Sequence, residues 1–141
     1  MKNNGLLLDT HAWIWLALGD EKMAKGISKK IIEKSFRESK LFVSAISLWE
    51  IGMLEAKGRV VFSEPCLDWI ELSMKRLRLE VIPLSAEIAV EATRLPGGFR
   101  GNPADRIIVA SCRKERLSLV TQDKLILSYG QQGLLRAIPC Y

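Results

Sequence analysis

The chain has 141 residues, 48% of them hydrophobic, and it carries a formal net charge of +5 with a pI near 9.3. This length predicts a single domain over residues 1–141, and the hydrophobic content excludes a disordered chain. No apolar run approaches the roughly 18 residues that a membrane span needs. The positive charge favours an anionic partner such as nucleic acid, although a solvated basic surface would explain it equally well.

Cysteine and histidine usage narrows the chemistry. The three cysteines, Cys66, Cys112 and Cys140, are scattered along the chain, which predicts neither a disulfide framework nor a zinc site. A cytoplasmic location is therefore the default expectation. The one histidine, His11, excludes histidine-rich metal sites and catalysis by paired histidines.

In the first half of the chain, short apolar strands alternate with helical patterns. A buried strand in "GLLLDT" ends at Asp9, and the helix "HAWIWLALGD" stops at Gly19. Residues 28–38 are amphipathic. A second strand, "KLFVSA", precedes the helix "ISLWEIGMLEAKGR", which ends at Gly58. The predicted apolar face of the 28–38 helix consists of Ile27, Ile31, Ile32 and Phe36.

The second half continues the alternation. A helix in "SEPCLDWIELSMKRLR" is predicted to have Ser63 as its cap and Pro65 in its first turn, and its apolar stripe is Leu67, Ile70 and Met74. A third strand, "LEVIPL", precedes a helix capped by Ser85. The loop "PGGFRGN" leads into the helix "PADRIIVASCRKE" and a fourth strand, "RLSLVTQD". A short helix follows at residues 123–129, and "LRAIP" is a possible fifth strand.

This alternation predicts an α/β fold, in which helices cover both faces of a parallel sheet of four to five strands. Ligands of such sheets bind at the carboxyl ends of the strands. Asp9, Asp123 and Glu50 follow strands one, four and two, so they should meet at that edge. Asp105 would have to reach the same edge from the loop before its own helix.

Three of these acids also have a purely structural interpretation. Asp105 fits the third position of a helix whose cap is Asn102. Glu50 completes a capping-box pattern that begins at Ser47, and Asp123 could cap the helix that follows it. Taken singly, each capping interpretation is favoured over a functional one.

The capping interpretations weaken when the four acids are taken together. Asp9 ends a strongly apolar strand, where an unpaired carboxylate would be costly to bury. Four carboxylates at one sheet edge repel one another, and a divalent cation would relieve the repulsion. Oxygen ligands favour Mg²⁺ or Mn²⁺, ions that can drive phosphodiester hydrolysis.

Four segments, in this order and at this spacing, resemble one known family: "LLLDTHAWIW", "VSAISLWEIG", "NPADRIIVASC" and "LVTQDKLI". They are similar to the PIN-domain ribonucleases, most closely to the VapC-type toxins of bacterial toxin–antitoxin pairs. The resemblance implies a three-layer α/β/α sandwich and an endoribonuclease dependent on Mg²⁺ or Mn²⁺. It also implies an RNA substrate, a cognate antitoxin and a homodimer.

The resemblance also assigns roles to individual residues. Asn102 is a departure, since many relatives have an acid there, and it removes one charge near the metal. The position of Arg100 in the loop before Asp105, and not the resemblance, makes it the arginine best placed to hold the RNA backbone, although it could equally be a simple surface charge; Arg106 is expected to pair with a nearby acid. The catalytic, metal-binding acids would be Asp9, Glu50, Asp105 and Asp123, supported by hydrogen bonds from Thr10 and Thr121.

Two other functions remain open on the sequence. An apolar strand followed by Asp9 and Thr10 is typical of aspartyl-phosphate phosphotransfer enzymes, but these usually have a second acid two residues on, where this chain has His11. A receiver domain would need an adjacent acid pair at the end of strand one, which is absent. A non-catalytic RNA-binding PIN module is the second alternative, although a degenerate member should have lost an acid and none is missing.

The helix "HAWIWLAL" raises a separate expectation. It is apolar on every side from Ala12 to Leu18, and Trp13 and Trp15 cannot share a face because they are two positions apart. Either a neighbouring helix of the same chain covers the second face, or an antitoxin segment or a second copy does. We therefore expect one of the two indoles to be largely exposed in the monomer.

Overall fold

The computed structural model describes residues 4–141, so the first three residues of the predicted domain lie outside the described part. Its five strands form one parallel sheet in the order β3-β2-β1-β4-β5. The strands are β1 (Leu6–Leu8), β2 (Leu41–Ser44), β3 (Glu80–Ile82), β4 (Ser118–Thr121) and β5 (Arg136–Pro139). The helices are α1 (Thr10–Leu18), α2 (Glu21–Ala24), α3 (Lys29–Arg37), α4 (Ala45–Ala56), α5 (Cys66–Leu77), α6 (Ala86–Glu91), α7 (Pro103–Glu115) and α8 (Lys124–Gln131).

Strand β1 lies at the centre of the sheet and is fully buried. Leu7 is opposite Phe42 on one side and Leu119 on the other. Because all five strands run parallel, the chain segments that leave β1, β2 and β4 emerge at one edge of the sheet. That edge carries the residues that the sequence singled out.

Two separate hydrophobic cores lie on opposite faces of the sheet. One contains Leu8 and Val43 of the sheet with residues of α1 to α5, and the other contains Leu7 and Leu119 with residues of α6 to α8. Successive side chains of a strand point to opposite faces, which explains why Leu7 and Leu8 belong to different cores. The predicted α/β/α sandwich with a five-stranded parallel sheet is thereby confirmed.

Most predicted boundaries agree with the structure. Gly19 adopts a left-handed conformation at the end of α1, with φ 73°, and the Ser85 hydroxyl accepts the Ile88 N–H at the start of α6. Strand β1 ends one residue earlier than expected, at Leu8, because Asp9 caps α1. The Ser47–Glu50 capping box is wrong, since Ser44 is the residue that caps α4.

The predicted cap of α5 is also wrong. The helix begins at Cys66 with Pro65 at the N-cap position, and the Ser63 hydroxyl donates to the adjacent Glu64 carboxylate instead. A residue before proline is disfavoured in the helical region, so Glu64 cannot belong to the first turn. Leu67, placed in the apolar stripe, is 65% exposed.

Two isoleucines assigned to the buried face of the third helix are exposed. Ile27 and Ile31 face solvent, whereas Ile32 is buried. The orientation of α3 is set by Ser28, whose buried hydroxyl donates to the carbonyl of Cys140 at 2.8 Å. The predicted apolar face of α3 is therefore wrong at Ile27 and Ile31 and confirmed at Ile32.

The expectation of a largely exposed indole on α1 is wrong. Trp13 has 0% exposure, and its Nε1–H donates to the Ser73 hydroxyl at 3.0 Å. Trp15 is half-buried, because α1 packs against α2 and α4 and the Tyr141 ring lies 6.1 Å from the indole. Residues of the same chain therefore cover Trp13 completely and Trp15 in part, whereas Leu18 at the end of α1 is exposed.

Two further sequence expectations concern membranes and thiols. Between residues 4 and 141, no helix combines the length and apolarity that crossing a membrane requires. Cys66, Cys112 and Cys140 are all free thiols, and the last two are buried.

Candidate functional site

Helix N-termini place three of the candidate acids. Asp9 caps α1 by accepting the Ala12 N–H at 2.8 Å, and Asp123 caps α8 by accepting the Ile126 N–H at 3.0 Å. Asp105 lies in the first turn of α7. The N-terminus of each helix carries a partial positive charge, so three helix N-termini stabilise negative charge at the same edge of the sheet.

Asn102 begins the helix that carries Asp105. Its side-chain oxygen accepts the Asp105 N–H at 2.9 Å, and Pro103 occupies the first helical position. The loop before it is tight, since a Cβ on Gly101 would lie 2.5 Å from the Phe99 ring and 3.0 Å from Cβ of Asp105. The predicted cap is confirmed, and it fixes the direction in which Asp105 leaves the helix.

All four predicted acids line a single cleft of about 380 Å³ at the carboxyl edge of the sheet. Asp9 is at the end of the central strand, Glu50 reaches the cleft from the second turn of α4, and Asp105 and Asp123 enter from the helices next to β4. No lysine or arginine is among the described residues that line it. The lining consists of Asp9, Thr10, His11, Trp15, Glu50, Asn102, Asp105, Ile108, Gln122 and Asp123.

Two threonines hold carboxylates in place. The completely buried Thr121 donates its hydroxyl to Oδ2 of Asp9, and its oxygen accepts the Asp123 N–H at 3.0 Å. The Thr10 hydroxyl donates to Oε1 of Glu50 at 2.5 Å and lies 2.8 Å from the Ser47 hydroxyl. Each acid that sits deep in the cleft is therefore oriented by a neutral donor, which leaves its charge uncompensated.

The environment of the cleft raises the pKa values of two of its acids, Asp9 and Asp105. Burial raises the pKa of Asp9 from 3.8 to about 6, although the Thr121 and Ala12 hydrogen bonds oppose the rise. The pKa of Asp105 is also raised to about 6, first by burial and then by the charges of Asp123, Glu50 and Asp9. The charges of the other three acids thus raise the pKa of Asp105, and no lysine or arginine among the described lining residues offsets them.

The two arginines singled out in the sequence lie outside this arrangement. Arg100 is exposed on the loop before α7 and does not line the cleft. Arg106 makes no ion pair within the described residues, and its Nε–H donates to the Gly101 carbonyl at 2.9 Å. The expectation that Arg106 pairs with an acid is therefore wrong, because the carbonyl of its own loop is the nearer acceptor.

Four lining residues were not found by reasoning from the sequence: His11, Trp15, Ile108 and Gln122. His11 and Trp15 are one helical turn apart on α1 and face the cleft together, with ring centroids 5.8 Å apart. Gln122 lies between Thr121 and Asp123, and its side-chain oxygen accepts the N–H of Cys140 at 3.0 Å. The i, i+4 spacing of the two rings, starting two residues after a functional acid, was the signal available in the sequence.

The donor chemistry of the cleft fits a hard divalent cation. Its charged ligands are carboxylates, which suit Mg²⁺ or Mn²⁺, and their raised pKa values mark a site that lacks positive charge. Within residues 4–141, no three acidic, histidine or cysteine side chains are close enough to hold an ion as they stand. Mg²⁺ needs no such cage, since it keeps several waters and binds through one or two carboxylates.

Comparison with known families classifies this fold and site. A model of the PIN domain matches residues 6–130. The chain therefore belongs to the PIN-domain family, and the resemblance drawn from the four sequence segments is confirmed. Among curated proteins, it is similar to Ribonuclease VapC22 of Mycobacterium tuberculosis, with 29% identity over 124 residues that cover 88% of this chain and 91% of the relative.

Solved structures show the same fold. The DNA-bound VapBC of Salmonella typhimurium superposes with a TM-score of 0.68 at 18% identity, covering 97% of this chain and 98% of that one. VapBC2 of Rickettsia felis, bound to a DNA fragment from its promoter, gives a TM-score of 0.66 at 17% identity, with 95% and 97% coverage. A toxin–antitoxin complex from Klebsiella pneumoniae gives 0.63 at 21% identity, with 97% and 98% coverage.

Proposed function

We propose that this protein is a metal-dependent endoribonuclease that acts as the toxin of a toxin–antitoxin pair. The observation that carries the proposal is the convergence of Asp9, Glu50, Asp105 and Asp123 on one cleft. Membership of the PIN family and the similarity to a protein named a ribonuclease support the activity. The similarity to toxin–antitoxin complexes supports the toxin role.

Different residues of the chain have different roles in the proposed hydrolysis. A divalent cation, Mg²⁺ or Mn²⁺, supplies the positive charge that offsets the carboxylates and the charge that builds on the phosphate. Asp9, Asp105 and Asp123 would hold it, and Glu50 would complete the site. A carboxylate of this group accepts the proton of the attacking water. Thr10 and Thr121 keep the acids oriented through the hydrogen bonds described above.

RNA cleavage by the purified full chain tests the proposal. Asp105→Asn, and likewise Asp9→Asn, Glu50→Gln and Asp123→Asn, should each lower cleavage at least 100-fold while the circular dichroism spectrum is retained. EDTA should stop cleavage, and Mg²⁺ or Mn²⁺ should restore it. A matched control is Asp68→Asn, an exposed acid on α5 outside the cleft. Wild-type rates in Asp105→Asn, or full activity after exhaustive chelation, would overturn the proposal.

The proposed macromolecular partners are RNA, a cognate antitoxin and a second copy of the chain. Arg100 remains the proposed contact for the RNA backbone, since it is exposed on the loop that leads to Asp105. An apolar hollow of about 330 Å³ between α1, α3 and α5 includes Leu16, Phe36 and Leu77, and we assign it to the antitoxin. Co-purification with the product of the neighbouring reading frame tests the antitoxin, and sedimentation equilibrium tests the dimer. A monomer that retains no such product would contradict both assignments.

A further inference from the structure

The wall of the cleft formed by α1 is aromatic. His11 is exposed and Trp15 half-buried, and both line the same cleft as the four acids. Their ring planes are inclined by 49°. The charge of His11 lowers the pKa of Asp9, which means that the imidazole lies within electrostatic reach of the deepest carboxylate. The aromatic rings of His11 and Trp15 therefore lie directly beside the acids, with no helix or strand between them.

Trp15 is held rigidly from behind. One side of the indole packs on the core beneath α1, and the Tyr141 ring lies 6.1 Å from it with an interplanar angle of 40°. The Lys22 ammonium is 5.5 Å from the centre of the Tyr141 ring. The indole thus has neighbours on its inner side, and the surface that remains accessible is part of the cleft wall.

The Tyr141 segment that packs against Trp15 is connected to the acidic site through backbone hydrogen bonds. Gln122 accepts the N–H groups of Cys140 and Tyr141 at 3.0 and 3.4 Å. The Cys140 carbonyl accepts the Ser28 hydroxyl at 2.8 Å, and a Cβ on Gly26 would collide with that carbonyl oxygen. Residues 140 and 141 are thereby pinned between α2, α3 and the loop after β4. A fixed ring loses little conformational entropy when a ligand stacks on it.

We propose that Trp15, with His11, forms a nucleobase subsite, in which a base of single-stranded RNA next to the cleaved phosphate stacks on the indole. This inference rests on the proposed ribonuclease function. Proteins bind unpaired bases by stacking them on aromatic side chains, and this contact tolerates any base because every base has a π-face. Such a subsite also explains how a cleft lined by four acids retains a polyanion, because the base binds to the uncharged indole of Trp15 rather than to a carboxylate.

Binding and cleavage of matched RNA oligonucleotides test the subsite. The substrate is a 12-nucleotide single-stranded RNA with one cleavage position, compared with versions in which a single nucleotide near that position is abasic. In the wild-type protein, one abasic position should raise KM about 5- to 100-fold, the range of stacking on one aromatic ring. In Trp15→Leu, KM for the intact RNA should rise by a similar factor, and the abasic position should have no further effect.

Three variants make the result specific. Trp15→Phe keeps a ring and should recover most of the wild-type KM. His11→Ala alters an exposed residue and gives a second reading if Trp15→Leu folds poorly, since it should also reduce sensitivity to the abasic position. Trp49→Leu removes an indole that is 60% exposed outside the cleft, and it should behave as wild type.

The failures of the two proposals are distinguishable. If the wild-type protein cleaves no RNA, the proposed function fails. If it cleaves RNA but Trp15→Leu keeps the wild-type KM, or loses equally on intact and abasic RNA, the subsite is overturned while the nuclease proposal stands. Equal effects of Trp49→Leu and Trp15→Leu would likewise overturn the subsite, because they would indicate a general loss of stability.

Discussion

Replacing Asp9 by Asn should stabilise the metal-free protein. Burial raises the pKa of Asp9 from 3.8 to about 6, so its ionised form is disfavoured in the folded state. One pKa unit corresponds to about 1.4 kcal/mol, and the ionised side chain therefore costs about 3 kcal/mol at pH 7. Asparagine keeps an oxygen for the Ala12 N–H, so the cap of α1 is preserved. We expect the free energy of unfolding to rise by about 1–3 kcal/mol, since part of the gain is lost where the amide meets Thr121.

The pH dependence of stability tests independently whether ionised Asp9 destabilises the folded protein. The pKa of Asp9 is higher in the folded protein than in the unfolded chain, so the penalty is fully present above about pH 6 and disappears as the pH falls toward 4. The raised pKa of Asp105 acts in the same direction. Metal-free wild-type protein should therefore gain stability from these groups between pH 7 and pH 4.5, and the advantage of Asp9→Asn should shrink over the same interval.

Denaturant unfolding in EDTA at pH 7 and pH 4.5 measures both effects, and a repeat with Mg²⁺ measures the linkage to the cation. Mg²⁺ should stabilise the wild-type protein, because a ligand that binds only the folded state adds to its stability, and it should stabilise Asp9→Asn less. Glu71→Gln, in the middle of α5 on its exposed face, should match the wild type throughout. An Asp9→Asn protein no more stable than wild type at pH 7, with the same pH profile, would refute the electrostatic reasoning.

Two other substitutions test how the site is supported. Thr121→Val removes the hydroxyl that donates to Asp9 and accepts the Asp123 N–H, in a fully buried position. It should lower the free energy of unfolding by about 1–3 kcal/mol and reduce RNA cleavage. Thr121→Ser keeps the hydroxyl and should restore both stability in denaturant unfolding and activity in RNA assays. Asn102→Asp should keep the helix cap, since Asp is as good a cap as Asn, and tighten Mg²⁺ binding by adding a carboxylate to the cleft. Unchanged Mg²⁺ affinity by calorimetry would show that residue 102 does not contribute to the electrostatics of the site.

The sequence predicts the sheet and the acidic edge well because both depend on local rules. Strand ends in a parallel sheet share an edge; Asp9 directly follows β1, and Asp123 comes two residues after the end of β4. The aromatic wall formed by His11 and Trp15 could not be predicted from local rules. Whether Trp15 faces solvent, a partner or the cleft depends on Tyr141, whose position is fixed by a hydrogen bond from its backbone to Gln122. The exposure of Ile27 has the same kind of cause, since Ser28 bonds to the distant Cys140.

The central position of β1 has a consequence for the order of folding. Asp9 and Thr121 are hydrogen-bonded although they are 112 positions apart in the chain, and β1 lacks one of its two neighbours until β4 has been added. Contacts so distant along the chain form slowly, because a long loop must close first. During synthesis, Asp9 leaves the ribosome early, but its hydroxyl donor and Asp123 emerge only after six sevenths of the described chain. A nascent chain therefore carries an incomplete cleft until Thr121 and Asp123 have emerged, and the acidic site forms only once β4 pairs with β1.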